Sequence, residues 1–269
     1  MVDEFQRYHA DNGGVLENLL ATFTGKPLAL GGSKGRNEAT GLGGVYILEK
    51  VFETLGYKKR SELQIAIQGY GNAGYWFARR AHELGYTIVA VSDSKGGIYD
   101  EKGLDPDAVL EIKNATGSVI NAPGIRISNA ELLKLSVDIL APAALEDAIH
   151  QGNADQISAK VIIELANGPV TPDADELLYK KGCMVVPDIL ANAGGVAVSY
   201  FEWVQNIQGY PWDYDTVKFR LQSLLNKAFD AMWKIREQKK ISCRQAAYLV
   251  AMKRVIDAML LRGGLSEER

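Results

Sequence analysis

The chain has 269 residues, 47% hydrophobic and 23% charged, with a formal net charge of −3. That is enough for one large α/β domain or two modest ones, and it gives no electrostatic case for nucleic acid or an anionic membrane as partner. Cys183 and Cys243 stand 60 positions apart, with three histidines and no C-x-x-C pair, so a thiol metal site is not expected. No signal-peptide pattern opens the chain and no apolar run nears about 18 residues, which points to a cytoplasmic setting.

In chain order, "MVDEFQRYHADNGG" reads as a short helix stopped by Gly13-Gly14, and "ALGGSKGRNEATGLGG" as a glycine-rich bend. "VYILEKVFETLG" has helical periodicity with a stop at Gly56. "LQIAIQG" is a short continuous apolar run, the signature of a strand covered on both faces. "NAGYWFARRAHELG" places Ala73, Trp76, Phe77, Ala81 and Leu84 on one helical stripe. "TIVAVSD" is the next strand, followed by a turn at Lys95-Gly96-Gly97 and a helix around "DPDAVLEIKNA". "VDILAPA", "KVIIELANG" and "CMVVPDILANAGG" are three further buried strands. Between the last two, Thr171 suits an N-cap, Pro172 the first helical position and Gly182 a C-terminal stop. Beyond residue 200 the strands cease. Two amphipathic helices follow, the second opened by a Ser242/Gln245 capping box, and "SEER" is a frayed end. Strands alternating with helices predict a doubly wound, mostly parallel sheet with C-terminal helices.

One junction carries chemistry. In "IAIQGYGNAGYWFARR" a strand ends at Gly69 and a helix begins near Gly74. Gly69 allows the tight turn, Gly71 lets a pyrophosphate approach the backbone, and Gly74 lets helix and strand pack closely. The helix N-terminus offers unpaired N–H groups and the positive end of its dipole to the phosphates. A glycine-rich turn without a ligand is the plainer alternative. An acid at the end of the next strand argues against it: Asp93 lies 24 positions beyond Gly69 and can accept from the adenosine ribose hydroxyls. The pattern is that of a Rossmann-like dinucleotide site. Asp93 favours NAD, because a 2′-phosphate beside a carboxylate is repelled. Ser94 and Lys95 follow at once and could hold such a phosphate, unless Lys95 is only a solvated turn residue. NAD or NADP therefore stays open, with a lean to NAD.

"TGKPLALGGSKGRNEATGLGG", "QGYGNAG", "VSDSKGGIYD", "PAALEDAI", "ANGPVTPDAD" and "PDILANAGGVAVSYFEW" together resemble the glutamate dehydrogenases of the glutamate/leucine/phenylalanine/valine dehydrogenase family. The resemblance runs over essentially the whole chain, and "SYFEW" looks like the glutamate version. It implies that Thr40 contacts the nicotinamide amide and that Asn72, beside Ala73 in the phosphate loop, contacts the pyrophosphate–ribose region. By the same resemblance Ala143 and Asn167 lie at strand ends facing the cofactor, and Asn192 sits beside the nicotinamide. Val196 and Ser199 are three apart and share a helical face, which the resemblance implies lines the pocket for the substrate's distal carboxylate. Thr40 as a helix cap and Asn192 as a turn former are the structural alternatives. Leu165 stands where the family usually has glycine, which would crowd the nicotinamide-side loop.

The family's catalytic lysine and aspartate, on a substrate domain, have no counterpart here; Lys34 in "GGSKGR" matches the hinge motif instead. The expected layout is an N-terminal helix and hinge over 1–35, a dinucleotide-binding domain over 36–205 and a C-terminal helical segment over 206–269. The reading is the NAD(P)-binding part of a glutamate dehydrogenase, without a catalytic residue of its own and not competent alone. Glutamate or 2-oxoglutarate would be bound only with a substrate domain. The alternatives are a stand-alone nucleotide-binding regulatory subunit, or a non-catalytic partner of a full-length paralogue; a homo-oligomer is also open. Phe5 and Tyr8 near the start, and Tyr248 and Met252 on the last helix, would lack their usual packing partner.

Overall fold

The computed structural model describes residues 1–12 and 19–263. The expected Gly13-Gly14 helix stop and the "SEER" end lie outside the described residues. Seven strands form one sheet: β1 (Gln64–Gln68), β2 (Thr87–Asp93), β3 (Gly96–Tyr99), β4 (Ile125–Ile127), β5 (Ile139–Pro142), β6 (Val161–Ile163) and β7 (Met184–Val186). Their spatial order is β4-β3-β2-β1-β5-β6-β7. β2, β1, β5, β6 and β7 run parallel, whereas β3 and β4 are antiparallel additions at one edge. This is the doubly wound, mostly parallel sheet that the apolar runs predict.

The helices are α1 (Val2–Asp11), α2 (Ala39–Thr54), α3 (Asn72–Glu83), α4 (Pro106–Thr116), α5 (Asn129–Leu133), α6 (Pro172–Lys180), α7 (Asp188–Ala191), α8 (Gly194–Gln208), α9 (Tyr214–Lys239) and α10 (Cys243–Leu261). Successive strand residues feed opposite cores, as a pleat requires. Ile65 and Ile67 join a cluster with Phe77 of α3 and Phe229 of α9, while Ala66 joins one with Leu132 of α5 and Leu178 of α6. Both faces of the sheet are therefore covered, which is why the strands read as unbroken apolar runs. Caps lie where the sequence placed them. The Thr171 hydroxyl accepts from Ala174 N–H ahead of Pro172, and Ser242 and Gln245 close a capping box.

Four expectations need correcting. Gly96-Gly97 is not a turn but the start of β3; the hairpin turn is Ser94-Lys95, with Asp93 paired to Gly96. Gly97 is used because a Cβ there would stand 2.8 Å from the Val91 carbonyl oxygen across the ladder. The second half of the supposed glycine bend, from Ala39, is already helix α2. Its glycines bring helices together: a Cβ on Gly41 would meet Phe77 N of α3 at 2.5 Å, and one on Gly194 of α8 would meet the Ala39 oxygen at 1.9 Å. The buried stripe of α3 is Gly74, Phe77, Ala78 and Ala81, with Leu84 44% exposed and Trp76 half-buried over two arginines instead. "CMVVPDILANAGG" is only three residues of strand before α7 and α8 begin, because Pro187 ends the ladder and opens the helical turn.

The C-terminal helices add Val217, Leu221, Leu225, Phe229 and Met232 of α9 and Cys243 and Ala246 of α10 to the main core. The outward face of α10 leaves Tyr248, Met252, Val255 and Met259 exposed. Tyr8 is exposed as well, whereas Phe5 has found an edge-on partner in Phe23 at 5.4 Å. Among the described residues no helix is long and apolar enough to cross a membrane.

Candidate functional site

β1 has β2 on one side and β5 on the other, and the chain winds away in opposite senses from that pair. In open parallel sheets ligands bind at such a switch point, outside the carboxyl ends of the strands. The Gln68 carbonyl accepts from Ala143 N–H at 2.7 Å, which stitches the two strand ends together at the floor of the crevice. The three glycines of the loop then separate cleanly by what a side chain would meet. Gly69 has φ +98° and a Cβ there would lie 2.8 Å from the Ala143–Ala144 backbone. A Cβ on Gly74 would sit 1.9 Å from the Gly69 oxygen, so helix and strand approach as closely as the backbone allows. Gly71 is different: nothing lies within 4 Å of its Cβ position, and its φ of −86° suits any residue.

The open space above Gly71 faces the start of α3. Gly71 is the N-cap there and no side chain caps the helix, so its first N–H groups are left for a ligand. Gln68 adds a buried Oε1 with no hydrogen-bond partner at the end of β1. Asn72, the first residue of α3, is exposed and donates from Nδ2 to the Asn37 carbonyl at 2.6 Å, tying the loop to the segment before α2. Ala73 is half-buried beside it. The open space above Gly71 and the uncapped N–H groups of α3 fit a dinucleotide pyrophosphate, whereas the Gln68 oxygen can only accept and would need a donor.

Asp93 closes the other side. Its Oδ1 accepts from Lys95 N–H at 2.8 Å and the Ser118 hydroxyl at 3.0 Å, and its Oδ2 from Val119 N–H at 2.7 Å. Partial burial pushes the carboxyl up, but those bonds, with the Lys113 ammonium nearby, outweigh it and hold Asp93 below the usual carboxylate range. Asp93 is thus an ionised group held in place at the strand end, with acceptor capacity left on Oδ2, since Oδ1 already takes two hydrogen bonds. Ser94 and Lys95, in the hairpin turn, are exposed.

The far half of the crevice is assembled from distant segments. Asn192, the C-cap of α7, donates from Nδ2 to Asn167 Oδ1 at 2.7 Å and to the Ala166 carbonyl at 3.2 Å. Asn192 is therefore more than a turn former: it fixes the loop after β6. Leu165 does not crowd that loop. Its side chain is buried, 2.5 Å from where a Cβ on Gly44 would be, so the glycine on α2 makes room for it. Thr40 does not cap α2, whose N-terminus takes no side-chain cap, and its hydroxyl lies close over Gly195. Val196 is 69% exposed and Ser199 half-buried on the same side of α8.

One residue was not anticipated from the sequence. Arg36 donates from Nε to the Ser199 hydroxyl at 2.9 Å, and its Nη1 reaches towards Gly195. Its only signal is position, four residues before Thr40 and on the side from which α2 enters. Beside it, residues Lys34, Arg36, Asn37 and Trp76 line an open cleft of about 510 Å³. The segment at residues 25–26 is held down by a buried pair, Lys26 Nζ to Glu202 of α8, whose carboxylate also accepts from Gly25 and Lys26 N–H.

The family model for glutamate/leucine/phenylalanine/valine dehydrogenases matches residues 31–263. Glutamate dehydrogenase of Thermotoga maritima is 50% identical over 251 residues, which cover 93% of this chain and 60% of that protein. An NAD-specific glutamate dehydrogenase of Staphylococcus aureus is 44% identical over 90% of this chain and 58% of its own length. Among solved structures, a hetero-hexameric glutamate dehydrogenase from Thermus thermophilus superposes with a TM-score of 0.87 at 35% identity, over 95% of this chain and 60% of that one. The chain thus spans about 60% of the length of these relatives. It belongs to the glutamate/leucine/phenylalanine/valine dehydrogenase family.

Proposed function

We propose that this chain is the NAD(P)-binding part of a glutamate dehydrogenase. The observation that carries the reading is the contrast within one loop: Gly69 and Gly74 are closed by the fold, whereas Gly71 opens on empty space at an uncapped helix N-terminus, across from an ionised Asp93. The parent reaction is glutamate with NAD(P)+ and water to 2-oxoglutarate, ammonia and NAD(P)H, in which the nicotinamide ring, when bound, accepts the hydride. The residues here bind and orient. The first N–H groups of α3 and the Gly71 backbone take the pyrophosphate, and Asp93 takes the adenosine ribose. Thr40, Asn167 and Asn192 frame the nicotinamide end, with Ala143 on the floor. Arg36 and Ser199 present a guanidinium and a hydroxyl together beside exposed Val196, a pairing suited to a carboxylate at the substrate's far end. The lean is to NAD, since an anchored carboxylate at Asp93 repels a 2′-phosphate.

No lysine in this crevice is set up to activate water: Lys34 is exposed and no partner side chain orients it among the described residues. Held geometry can supply about 7–11 kcal/mol of a barrier, and acid–base help about 10²–10⁴-fold more. With the donor unclamped, the chain alone is expected to bind cofactor and not to oxidise glutamate at a useful rate. The test is a paired measurement on the pure chain, NADH fluorescence titration and NADH production from glutamate and NAD+. Saturable binding without turnover is the expected pair. NADH production above the level of a mock purification would overturn it, and Lys34→Ala would then be the first variant to make.

A second reading, a non-catalytic subunit beside a full-length paralogue, draws on the hetero-hexameric assembly named for the Thermus relative. It predicts co-purification of this chain with such a paralogue; the first reading predicts instead that activity returns when a separately made substrate domain is added.

A further inference from the structure

A buried ionic junction joins α10 to the loop that frames the nicotinamide end. Arg244, two residues into α10 and 15% exposed at its side chain, faces three carboxylates from three elements. Its Nη2 is 2.5 Å from Glu164 Oε1, just past β6; its Nε is 3.1 Å from Asp175 Oδ1 of α6; its Nη1 is 3.7 Å from Asp188 Oδ1 of α7. The far oxygens of two of these carboxylates continue the chain. Glu164 Oε2 accepts from Asp188 N–H at 2.7 Å, and Asp188 Oδ2 accepts from Gly168 N–H at 2.8 Å. Gly168 directly follows Asn167, whose side chain accepts from Asn192. Asn167 and Asn192, both expected at the nicotinamide, are thus held by a path that ends on a helix more than 50 positions further along the chain.

A strut that only fastened α10 would need one carboxylate. Here a single guanidinium serves three, and Glu164 is fully buried. Glu164 and Asp188 each use their second oxygen on a backbone N–H of the loop or of the turn below it, so the geometry of the fork is transmitted to the loop backbone. Gly168 has φ +56° and no side chain to pack, leaving its N–H bond to Asp188 as the restraint on that corner, together with the bond from Asp147 N–H to its carbonyl.

We propose that Arg244 is a positioning residue for the cofactor's nicotinamide end, acting through Glu164 and Asp188 on the Asn167–Gly168 corner. It touches neither cofactor nor substrate. The inference rests on the reading of the crevice as a dinucleotide site, and it separates the two ends of that site: the adenosine and pyrophosphate contacts at Gly71, α3 and Asp93 share no residue with the Arg244 junction.

The experiment compares NADH with ADP-ribose, which lacks the nicotinamide, on the full chain and its Arg244→Lys and Arg244→Gln variants. In the unaltered chain NADH should bind more tightly than ADP-ribose. In Arg244→Gln, NADH affinity should fall about tenfold or more while ADP-ribose affinity stays within about twofold. Arg244→Lys, which keeps the charge but loses the fork, should fall between, and it covers the case in which Arg244→Gln does not fold. Hydrogen exchange should rise in a peptide spanning 164–170 in both variants. Equal losses for the two ligands, or unchanged NADH binding with a loosened 164–170 segment, would overturn the inference and leave Arg244 a structural strut. An unaltered chain that binds ADP-ribose as well as NADH would overturn the nicotinamide assignment itself, and one that binds neither would overturn the cofactor reading.

Discussion

The two ends of the crevice are built on different logic. The corner proposed for the phosphates comes from one stretch, β1 through the first turn of α3, and its constraints are steric: a 1.9 Å approach at Gly74, a left-handed φ at Gly69 and open space at Gly71. The end proposed for the nicotinamide is assembled from residues 36–40, 143, 164–168 and 188–199, braced by Arg244, and its constraints are hydrogen bonds and charge. Steric constraints act over a few residues and are all-or-none. Polar ones act between distant segments and can be weakened by degrees. The first kind of site should therefore break and the second should loosen.

The largest effect should come from the corner. Gly74→Ala forces a methyl to within 1.9 Å of a backbone oxygen that cannot swing away. Overpacking typically costs about 1–3 kcal/mol where side chains can give, and more where only backbone can. A soluble, cooperatively melting Gly74→Ala protein with unchanged midpoint would show that α3 and β1 are less tightly apposed than this. Gly71→Val, three residues away, should leave the melting curve in place and abolish NADH binding, because its side chain enters the space the pyrophosphate needs. Tight NADH binding by that variant would reduce the loop to a mere turn.

That pair also marks what could be read from the sequence. The strand–glycine–helix geometry of the first corner was legible because strand, glycines, helix and acid fall within some thirty residues, and each glycine has a local reason. The edge strands were not. β4 is three residues long with Ile125 65% exposed, so it carries no apolar run, and β3 opens on two glycines that resemble a turn. The α2 glycines looked like a bend because their partners, on α3, α8 and beyond β6, are distant in the chain. Arg36 escaped for the same reason: the hydroxyl it holds is 163 positions away. Local sterics leave a sequence signature; a contact between remote polar groups leaves only the residue types.

At the other end the expected effect is graded and depends on pH. Burial raises the Glu164 carboxyl from 4.5 to about 7, against the pull of Arg244 and the Asp188 N–H, so it is the carboxylate partner of Arg244 above that pH and takes up a proton below it. The folded state then holds a proton that the unfolded state releases, so this group's contribution is complete below about 4.5 and is lost as pH rises to about 7. At about 1.4 kcal/mol for each tenfold change in proton affinity, the whole contribution is at most about 3–4 kcal/mol. Carboxylates held low, Asp93 among them, act in the opposite sense at more acid pH, so the readout is the difference between the natural chain and Glu164→Gln. The melting midpoint of Glu164→Gln should hold steadier than that of the natural chain between pH 5 and 7. Parallel pH curves would mean that Glu164 is ionised throughout as the partner of Arg244.

The smallest effect expected is at Asp93, where the two kinds of constraint meet. Its carboxylate anchors the Ser94-Lys95 turn and the Ser118-Val119 corner through three hydrogen bonds, and it is also the acid proposed to receive the ribose. Asp93→Ala removes both functions at once and should weaken NADH by roughly 1–3 kcal/mol, the scale of a lost charged hydrogen bond. It should spare NADPH or improve it, since the repulsion of a 2′-phosphate goes with the charge. Stability should fall too, because Val119 N–H and the Ser118 hydroxyl lose their acceptor. Asp93→Asn separates the two functions: the amide oxygen can still serve one of those donors while the charge is gone. If charge governs cofactor choice, Asp93→Asn should narrow the NADH-to-NADPH ratio at a smaller cost in melting midpoint than Asp93→Ala. If both variants weaken the two cofactors equally and in step with stability, Asp93 holds the fold of this corner and the ribose is read elsewhere.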